Sequence, residues 1–411
     1  MSWSLTRPFG TAGSRNERLA IAIAVGAMGT LGFSVTSPIL PDLAEAFGVS
    51  RGDIGLVQAA VSIPGILFSA LIGYFADRFG RRRVVLTALT IFSIFGVGGF
   101  FARTFWGLVA MRFCQGIGTS GILGLGIVLI GDAFEGRART RAMGINITGV
   151  TLMSMAGPII SGQLALGGTF RPFLIFTIGV PLLAWATRMP SDPRKEAVAP
   201  PLGHLADALR GMKASGRLRD YLGLLGTTLV AVFILHGLGL TVSPLFLDLE
   251  FGVPVDVRGF IVASFQFGTI LVALQVGRIL ARIGGRKMMT IAFAMMAVGS
   301  GVAALAAAPW HIALGLGIAG FGFGMFVPVA QSFASLVGTD QYRGLTVLMW
   351  VTVVRIAQVI GPQVGSRMTD GAGPRWAFGL AALGMGVIAL AWIPLRRRIN
   401  RGVAGRALSN E

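Results

Sequence analysis

Long apolar stretches alternate with short polar ones along almost the whole chain. Twelve of them are apolar over about the 20 residues that a helix needs to cross a hydrocarbon core of roughly 30 Å, and they are called spans 1 to 12 here. Barrel strands would be about 10 residues long with alternating polarity. The pattern therefore predicts an all-α membrane protein, with spans near residues 19–40, 54–76, 84–102, 104–131, 142–166, 172–187, 221–247, 259–277, 288–308, 310–337, 344–366 and 376–395.

The composition is typical of a chain surrounded by lipid. Of the 411 residues, 54% are hydrophobic and 13% are charged, and the mean hydropathy is +0.75, whereas soluble domains carry about 25% charged residues. A net charge of +18 would also suit a nucleic-acid-binding protein, but the cations lie between the apolar stretches. We therefore expect the lipid bilayer, and no nucleic acid, as a partner.

The distribution of cations predicts the orientation. If both termini are cytoplasmic, 27 of the 35 Lys and Arg residues lie in segments on the inside, and the positive-inside rule favours this arrangement over its inverse. Span 1 is expected to stay in the mature protein, because a polar stretch of 18 residues precedes an apolar run that is long enough to cross the bilayer. We expect a multi-pass protein of the cell inner membrane.

A long hydrophilic segment with four prolines and mixed charges divides the spans into two groups of six. Such a segment is typical of a linker. The sequence predicts cytoplasmic tails at 1–18 and 397–411, six-helix bundles at 19–189 and 220–396, and a cytoplasmic linker at 190–219.

The two groups are related by an internal repeat. GYFADRFGRRR from Gly73 recurs as GRILARIGGRK from Gly277, and Gly157-Pro158 recurs as Gly361-Pro362, in both cases 204 residues later. Duplication of a six-helix unit is a feature of carriers whose two halves rock about a site near the membrane midplane.

The loop between spans 2 and 3 carries a charged motif, GYFADRFGRRR. It resembles the signature of the major facilitator superfamily, and the resemblance covers nearly the whole chain. The matching residues of this motif are Gly73, Asp77, Arg78, Gly80 and Arg81. The resemblance implies a fold of two pseudo-symmetric six-helix bundles.

The chemistry of this motif is that of a latch. Gly80 permits a tight turn, Asp77 can face the positive end of a helix from the other half, and Arg81 can pair with Asp132. We expect this network to hold the outward-facing state. The alternative is that the arginines only set the topology, and Ala281 replaces the acid in the second copy.

Span 4 contains RFCQGIGTSG from Arg112, which is similar to the R-x-x-Q-G-x-G pattern of proton-linked carriers. An Arg inside a span costs at least about 2.5 kcal/mol by insertion scales, so Arg112 is expected to face a polar cavity and to serve coupling. The alternative is an Arg that reaches the outer surface.

Two further motifs resemble those of exporters. AGPIISG in span 5 is similar to the antiporter motif, with Gly157, Pro158 and Gly162 in place and Ser161 replacing a glycine. Close helix packing is an equally good explanation. SPILPDLAEAF is similar to the end of span 1 in drug exporters, some of which carry a membrane acid where this chain has Ser34.

None of the 17 acids falls in the middle of a predicted span. A proton-coupled carrier needs a group that changes its charge, and the candidates are Asp42, which is expected to approach Arg112, and His236. Arg355 in span 11 is expected to face the central cavity. Two buried cations without buried acids favour an anionic substrate.

Polar and aromatic residues within the spans are candidates for the wall of a substrate cavity, although each of them could equally serve helix packing. The chain shows no P-loop, metal-ligand cluster or nucleophile triad, so we expect neither an enzyme nor a cofactor or metal. The cavity candidates are Phe33, Ser34, Gln58, Gln115, Asn146, Phe265, Gln266, Gln331, Trp350 and Gln358.

The leading hypothesis is a monomeric secondary transporter that works by alternating access. The resemblance is greatest to the twelve-helix drug:proton antiporters, which implies efflux of small amphipathic compounds coupled to protons. One alternative is an organic-anion or metabolite carrier, a uniporter or symporter, that clamps its substrate with Arg112 and Arg355. Another is a sensor or scaffold without transport, against which the intact Asp77 motif argues.

Overall fold

A computed structural model describes residues 15–189, 210, 212–213, 218–273, 275–337 and 343–407. The regular structure within these ranges is helical throughout. The predicted linker at 190–219 falls largely outside the described residues.

The first half begins with a helix that leads through a short buried turn into a second, shorter helix, and these two together form span 1. Span 6 is short, as predicted, and it starts as a 3-10 helix with Pro172 in its first turn. The helices of spans 1 to 6 are Arg15–Ser34 with Leu40–Phe47, Gly55–Phe79, Arg81–Gly98, Phe105–Ala133, Gly136–Ala165, and Arg171–Ile178 with Gly179–Ala186.

Span 7 of the second half contains a π-helical segment between two α-helices. Gly284 leaves helical dihedral angles, so residues 276–283 complete span 8 and residues 285–304 form span 9. The helices of spans 7 to 12 are Leu218–Phe233 with Ile234–Val242 and Ser243–Phe251, Val255–Ala273, Val276–Ala304, Pro309–Val337, Arg343–Ala372 and Pro374–Ala407.

The number of apolar helices agrees with the predicted pattern. Among the described residues, nine helices are long and apolar enough to cross a membrane, and the bent helix of span 2 supplies a tenth. The two shorter apolar helices, Leu19–Ser34 and Arg171–Ala186, correspond to spans 1 and 6. The prediction of an all-α membrane protein is confirmed.

The repeat that was found in the sequence is also visible in the backbone. Span 2 is bent by 57° at residue 70, and the matching part of span 8 is interrupted between Ala273 and Val276. Gly80 ends span 2 at φ 88° and ψ 140°, and Gly284 ends span 8 at φ 75° and ψ 155°. Both turns need a residue without a Cβ, which explains why glycine occupies both copies.

Each half buries its own apolar core. One large cluster of buried apolar side chains comes from residues up to 189, apart from Leu245, and the other comes from residue 212 onward, apart from Phe33 and Val61. The halves meet through spans 2 and 11 and through spans 5 and 8. A site between the halves is therefore bordered by two separately packed bundles.

Two close backbone contacts join the halves at the ends of these spans. A Cβ on Gly55 would overlap the carbonyl oxygen of Pro362, and a Cβ on Gly259 would overlap the carbonyl oxygen of Pro158. The two glycines, like the two prolines, are 204 residues apart. We call these contacts the glycine–proline seams, and the repeat builds the same seam twice.

Hydrogen bonds between the halves lie at the same end of the bundle. The Ser37 hydroxyl donates to the Leu240 carbonyl at 2.6 Å, and the Ser366 hydroxyl donates to the Gly52 carbonyl at 2.8 Å. This is the end that the cation count assigns to the outside, and it is called the predicted outer end below. The halves are closed against each other there.

Candidate functional site

Arg112 lies near the start of span 4 and has no exposed surface. Its Nη1 donates to Gln115 Oε1 at 2.5 Å. Its Nη2 donates to the backbone carbonyl of Gly32 and, at 3.3 Å, to the Thr36 hydroxyl. Its Nε donates to the Val57 carbonyl at 3.4 Å. The guanidinium therefore ties span 4 to spans 1 and 2.

The surroundings of Arg112 are polar but uncharged. Thr36 donates in turn to Gln58 Oε1 at 3.1 Å, and no described carboxylate lies within 4 Å of the guanidinium. The oxygen partners compensate the desolvation of a charge that is buried without a counter-ion. In this conformation Arg112 is enclosed within the first half and does not line an open cavity.

Arg355 lies near the middle of span 11 and reaches across to the first half. Its Cδ and Nε are 3.1 and 3.2 Å from the position of a Cβ on Gly65 in span 2, and the Ser120 hydroxyl is 3.3 Å from that position. Arg355 Nη1 donates to Gln358 Oε1 at 3.2 Å. Its side chain is partly buried, and no described carboxylate lies within 4 Å of it. It is thus a cation at the boundary of the halves.

His236 and Phe33 face each other across the same boundary. Their rings meet edge to face with centroids 5.6 Å apart, and both side chains are buried. Arg355 is close enough to act electrostatically on His236. His236 belongs to the π-helical segment Ile234–Val242, and such segments occur frequently at functional sites. Arg355, His236 and Phe33 therefore form one group, which we call the central site.

The remaining cavity candidates are dispersed. Ser34, Asn146 and Phe265 are buried, Gln266 is partly buried, and Gln331 is exposed. The buried Trp350 donates from Nε1 to the Thr228 hydroxyl at 3.0 Å. Gln58 and Gln115 belong to the Arg112 network, and Gln358 belongs to Arg355.

Asp42 does not approach Arg112 as predicted. Both of its carboxylate oxygens accept from Arg258 Nη2 at 2.8 Å. Arg258 Nη1 is 3.6 Å from Asp248 Oδ1. Arg258 is 3% exposed, whereas Asp42 and Asp248 are 31% and 35% exposed. The prediction failed because a cation from the other half lies nearer to Asp42 than Arg112 does.

Several described contacts of the charged loop after span 2 lie within the first half. Asp77 is 42% exposed and lies 4.0 Å from Arg81, Arg78 donates to the Tyr74 hydroxyl at 3.1 Å, and nothing lies within 4 Å of a Cβ on Gly73. The side chain of Asp132 lies outside the described part of the chain. With the predicted outer end closed, the latch to the other half stays a prediction.

The span 5 motif packs tightly on both sides. A Cβ on Gly157 would overlap the Ser34 hydroxyl, and a Cβ on Gly162 would lie 2.7 Å from the Val255 carbonyl. Ser161 donates to the Val35 carbonyl at 2.5 Å. Together with Pro158 in its seam, the motif joins span 5 to span 1 and to span 8. Close packing is the role that these contacts support.

Sequence reasoning missed Arg258 and Asp248. The predicted spans leave Arg258 in the loop between spans 7 and 8, yet it is buried in the first turn of span 8. The repeat carried a usable signal, since the matching residue 204 positions earlier is the buried apolar Ile54. An Arg at the counterpart of a buried position requires a partner.

A family model described as Major Facilitator Superfamily matches residues 22–254 and 224–409. The chain is similar to Multidrug resistance protein 2 of Bacillus subtilis (strain 168), with 23% identity over 83% of this chain and 86% of that protein. It is also similar to the 3-(3-hydroxy-phenyl)propionate transporter of Escherichia coli (strain K12), with 26% identity over 95% and 97%. A crystal structure of a variant of the nucleoside transporter NupG superposes with a TM-score of 0.77 at 14% identity, covering 92% of this chain and 99% of that one. At this identity the structural likeness concerns the fold.

Proposed function

Because the chain belongs to the Major Facilitator Superfamily and is a membrane transporter rather than an enzyme, we propose that it carries small amphipathic organic anions by alternating access. The observation that carries this proposal is the placement of Arg355. This cation lies between the halves, is partly buried, and has no described carboxylate within 4 Å.

The electrostatic argument favours an anion. A guanidinium in a site of low dielectric attracts a carboxylate more strongly than it would in water, and it can bind both carboxylate oxygens. Arg112 differs, because its donors are directed at oxygens within the first half. The anion is therefore assigned to Arg355 alone, instead of to a clamp of two arginines.

The neighbours of Arg355 suggest the apolar part of the substrate. Phe33 supplies an aromatic ring at the boundary, where it meets the ring of His236 edge to face. An aromatic ring with an attached carboxylate would suit this arrangement. The relative that covers 95% of this chain bears the name of an aromatic carboxylate transporter, which supports the same class.

The test is uptake of labelled 3-(3-hydroxy-phenyl)propionate into proteoliposomes, with unlabelled benzoate and a cationic amphiphile as competitors. Arg355→Ala should reduce uptake at low substrate at least about tenfold, because a hydrogen bond to a charged group contributes about 1.5–3 kcal/mol. Arg367→Ala, on the exposed side of the same span, is the matched control and should transport normally. Uptake that the cationic amphiphile inhibits and benzoate does not would contradict the proposal.

Proton coupling belongs to the same proposal, with His236 as the titratable side chain at the central site. The arrangement of this site supports it, since the His236 ring lies at the boundary of the halves and an imidazole can change its charge between about pH 5 and 8. His236→Gln should leave substrate exchange intact and remove its pH dependence between about pH 5 and 8. An unchanged pH profile would exclude His236 from coupling.

A second candidate is efflux of drug-like compounds in exchange for protons. It is supported by the span 5 motif and by the similarity to Multidrug resistance protein 2 over 83% of this chain. An entrapped pH dye distinguishes the candidates. Addition of an uncharged or cationic drug should change the internal pH if this candidate is right, and addition of an aromatic carboxylate should do so if the first is right.

The proposed setting is the cell inner membrane, with both termini cytoplasmic and the protein acting as a monomer. The excess of cations in the predicted inner segments supports this orientation. Labelling of cysteines placed in the two tails tests this orientation. A thiol reagent that cannot cross the membrane, added to intact cells, should reach neither tail.

A further inference from the structure

A charged contact away from the central site joins the two halves. Arg258 lies between two carboxylates, with Asp42 at 2.8 Å and Asp248 at 3.6 Å. The guanidinium is 3% exposed, so its charge is almost completely removed from water. The contact lies beside the glycine–proline seam of Gly259, at the end where the halves are closed.

The two carboxylates belong to different halves. Asp42 is in the short helix Leu40–Phe47 at the end of span 1, and Asp248 is in the helix Ser243–Phe251 at the end of span 7. Arg258 is in span 8, so it shares a half with Asp248. In alternating access the halves move largely as rigid bodies. When the predicted outer ends separate, Asp42 must leave Arg258, whereas Asp248 moves with it.

A buried arginine that lost its only carboxylate would be left with an uncompensated charge, which is strongly unfavourable. Asp248 removes this obstacle, because it already lies within reach of the other guanidinium nitrogen. A contraction of about 1 Å would bring it to the usual distance of a charge-assisted hydrogen bond. The arginine can therefore remain paired on both sides of the transition.

We propose that Arg258 exchanges Asp42 for Asp248 when the predicted outer end opens, and that these two carboxylates set the balance between the closed and open forms. This inference rests on the proposed alternating access and not on the identity of the substrate. Asp42 stabilises the closed form. Asp248 stabilises the open form more than the closed one.

The experiment measures the distance between spin labels at Ala46 and Ala307, which are exposed residues near that end of the two halves, in a Cys114→Ser background in liposomes. Asp42→Asn should raise the ratio of open to closed molecules at least about fivefold, because breaking a buried pair destabilises the conformation that contains it. Asp248→Asn should lower that ratio. Glu250→Gln, which breaks the pair with Arg375 inside the second half, should leave it unchanged.

Opposite shifts for the two neutralised carboxylates support the exchange. Shifts in the same direction, or no shift in either variant, would overturn it. If Asp42→Asn does not fold, Arg258→Lys should also raise the open fraction, since it retains the charge and loses the Nη2 that donates to both oxygens of Asp42. The distances are measured without substrate, so the exchange at Arg258 is tested even if the chain transports no anion.

Discussion

Arg112 in the first half and Arg355 in the second half each donate a hydrogen bond to a glutamine three residues further along the same helix. Arg112 has no exposed surface, and its other donors meet oxygens from spans 1 and 2. Arg355 crosses to the first half over a glycine and remains partly accessible. The same local pattern thus holds a bundle together in one half and offers a charge between the bundles in the other.

The comparison teaches that a cation within a span does not by itself identify a substrate site. Its cost in the membrane is offset either by neighbouring protein oxygens or by an anion from outside. The helices that pack against the cation decide between these outcomes.

The largest effect is expected for Arg112→Ala. It leaves a cavity and removes the donor to Gln115, so we expect a loss of about 3–5 kcal/mol of unfolding free energy, seen as a lower thermal midpoint in detergent. Arg355→Ala is the counterpart and should unfold close to the wild-type temperature. A stable but inactive Arg112→Ala protein would break the comparison, because it would make Arg112 a transport residue as well.

The two glutamines should show the same difference in stability between the halves, with smaller losses of unfolding free energy. Gln115→Ala removes the acceptor of a fully buried guanidinium and should cost about 1.5–3 kcal/mol. Gln358→Ala should cost less than about 1 kcal/mol, because water can replace the lost acceptor. Thermal unfolding of the two variants side by side measures this, and equal losses would mean that Arg355 is as enclosed as Arg112.

Gly65→Ala tests whether the position of the Arg355 side chain matters for substrate binding. The new methyl group would lie 3.1 Å from the Arg355 Cδ, so the side chain must shift by a few tenths of an ångström. We expect the KM for an aromatic carboxylate to rise about threefold to fivefold, equivalent to roughly 1 kcal/mol, with unfolding unchanged. Gly124→Ala, where nothing lies within 4 Å, is the control. An unaltered KM would place the substrate away from Arg355.

The smallest effect on stability is expected for Asp77→Asn. Its partner in this conformation is Arg81 at 4.0 Å on a partly exposed surface, and such a pair contributes about 0–1 kcal/mol. Transport should nevertheless be impaired with normal membrane insertion, because the latch is predicted to hold the outward-facing conformation. Wild-type turnover in this variant would mean that the first half does not need the acid. The second half already lacks one, since Ala281 stands at the matching position.

Much of the fold could be predicted because the bilayer restricts what a chain can do. The length of each apolar stretch determines where a span lies. The sequence repeat indicates related turns, and Gly80 and Gly284 indeed adopt nearly the same dihedral angles. The short helix at the end of span 1 and the π-helical segment of span 7 were not predicted, since both depend on local packing.

The site was less predictable because the spacing of residues along one helix does not say which helix lies opposite. Arg355 was expected at a central cavity and lies at the boundary of the halves. Arg112 was expected there too, but oxygens from two other spans enclose it. Arg258 was missed because its partner Asp42 is 216 residues away in the sequence.

The glycine–proline seams have a consequence for leakage. Each seam places a glycine against a proline carbonyl of the other half, with no room for a Cβ. Because the two seams are copies of one contact, the same steric limit applies at both. A methyl group at either glycine should therefore hold the halves apart and let water and small ions pass while the predicted outer end is otherwise closed.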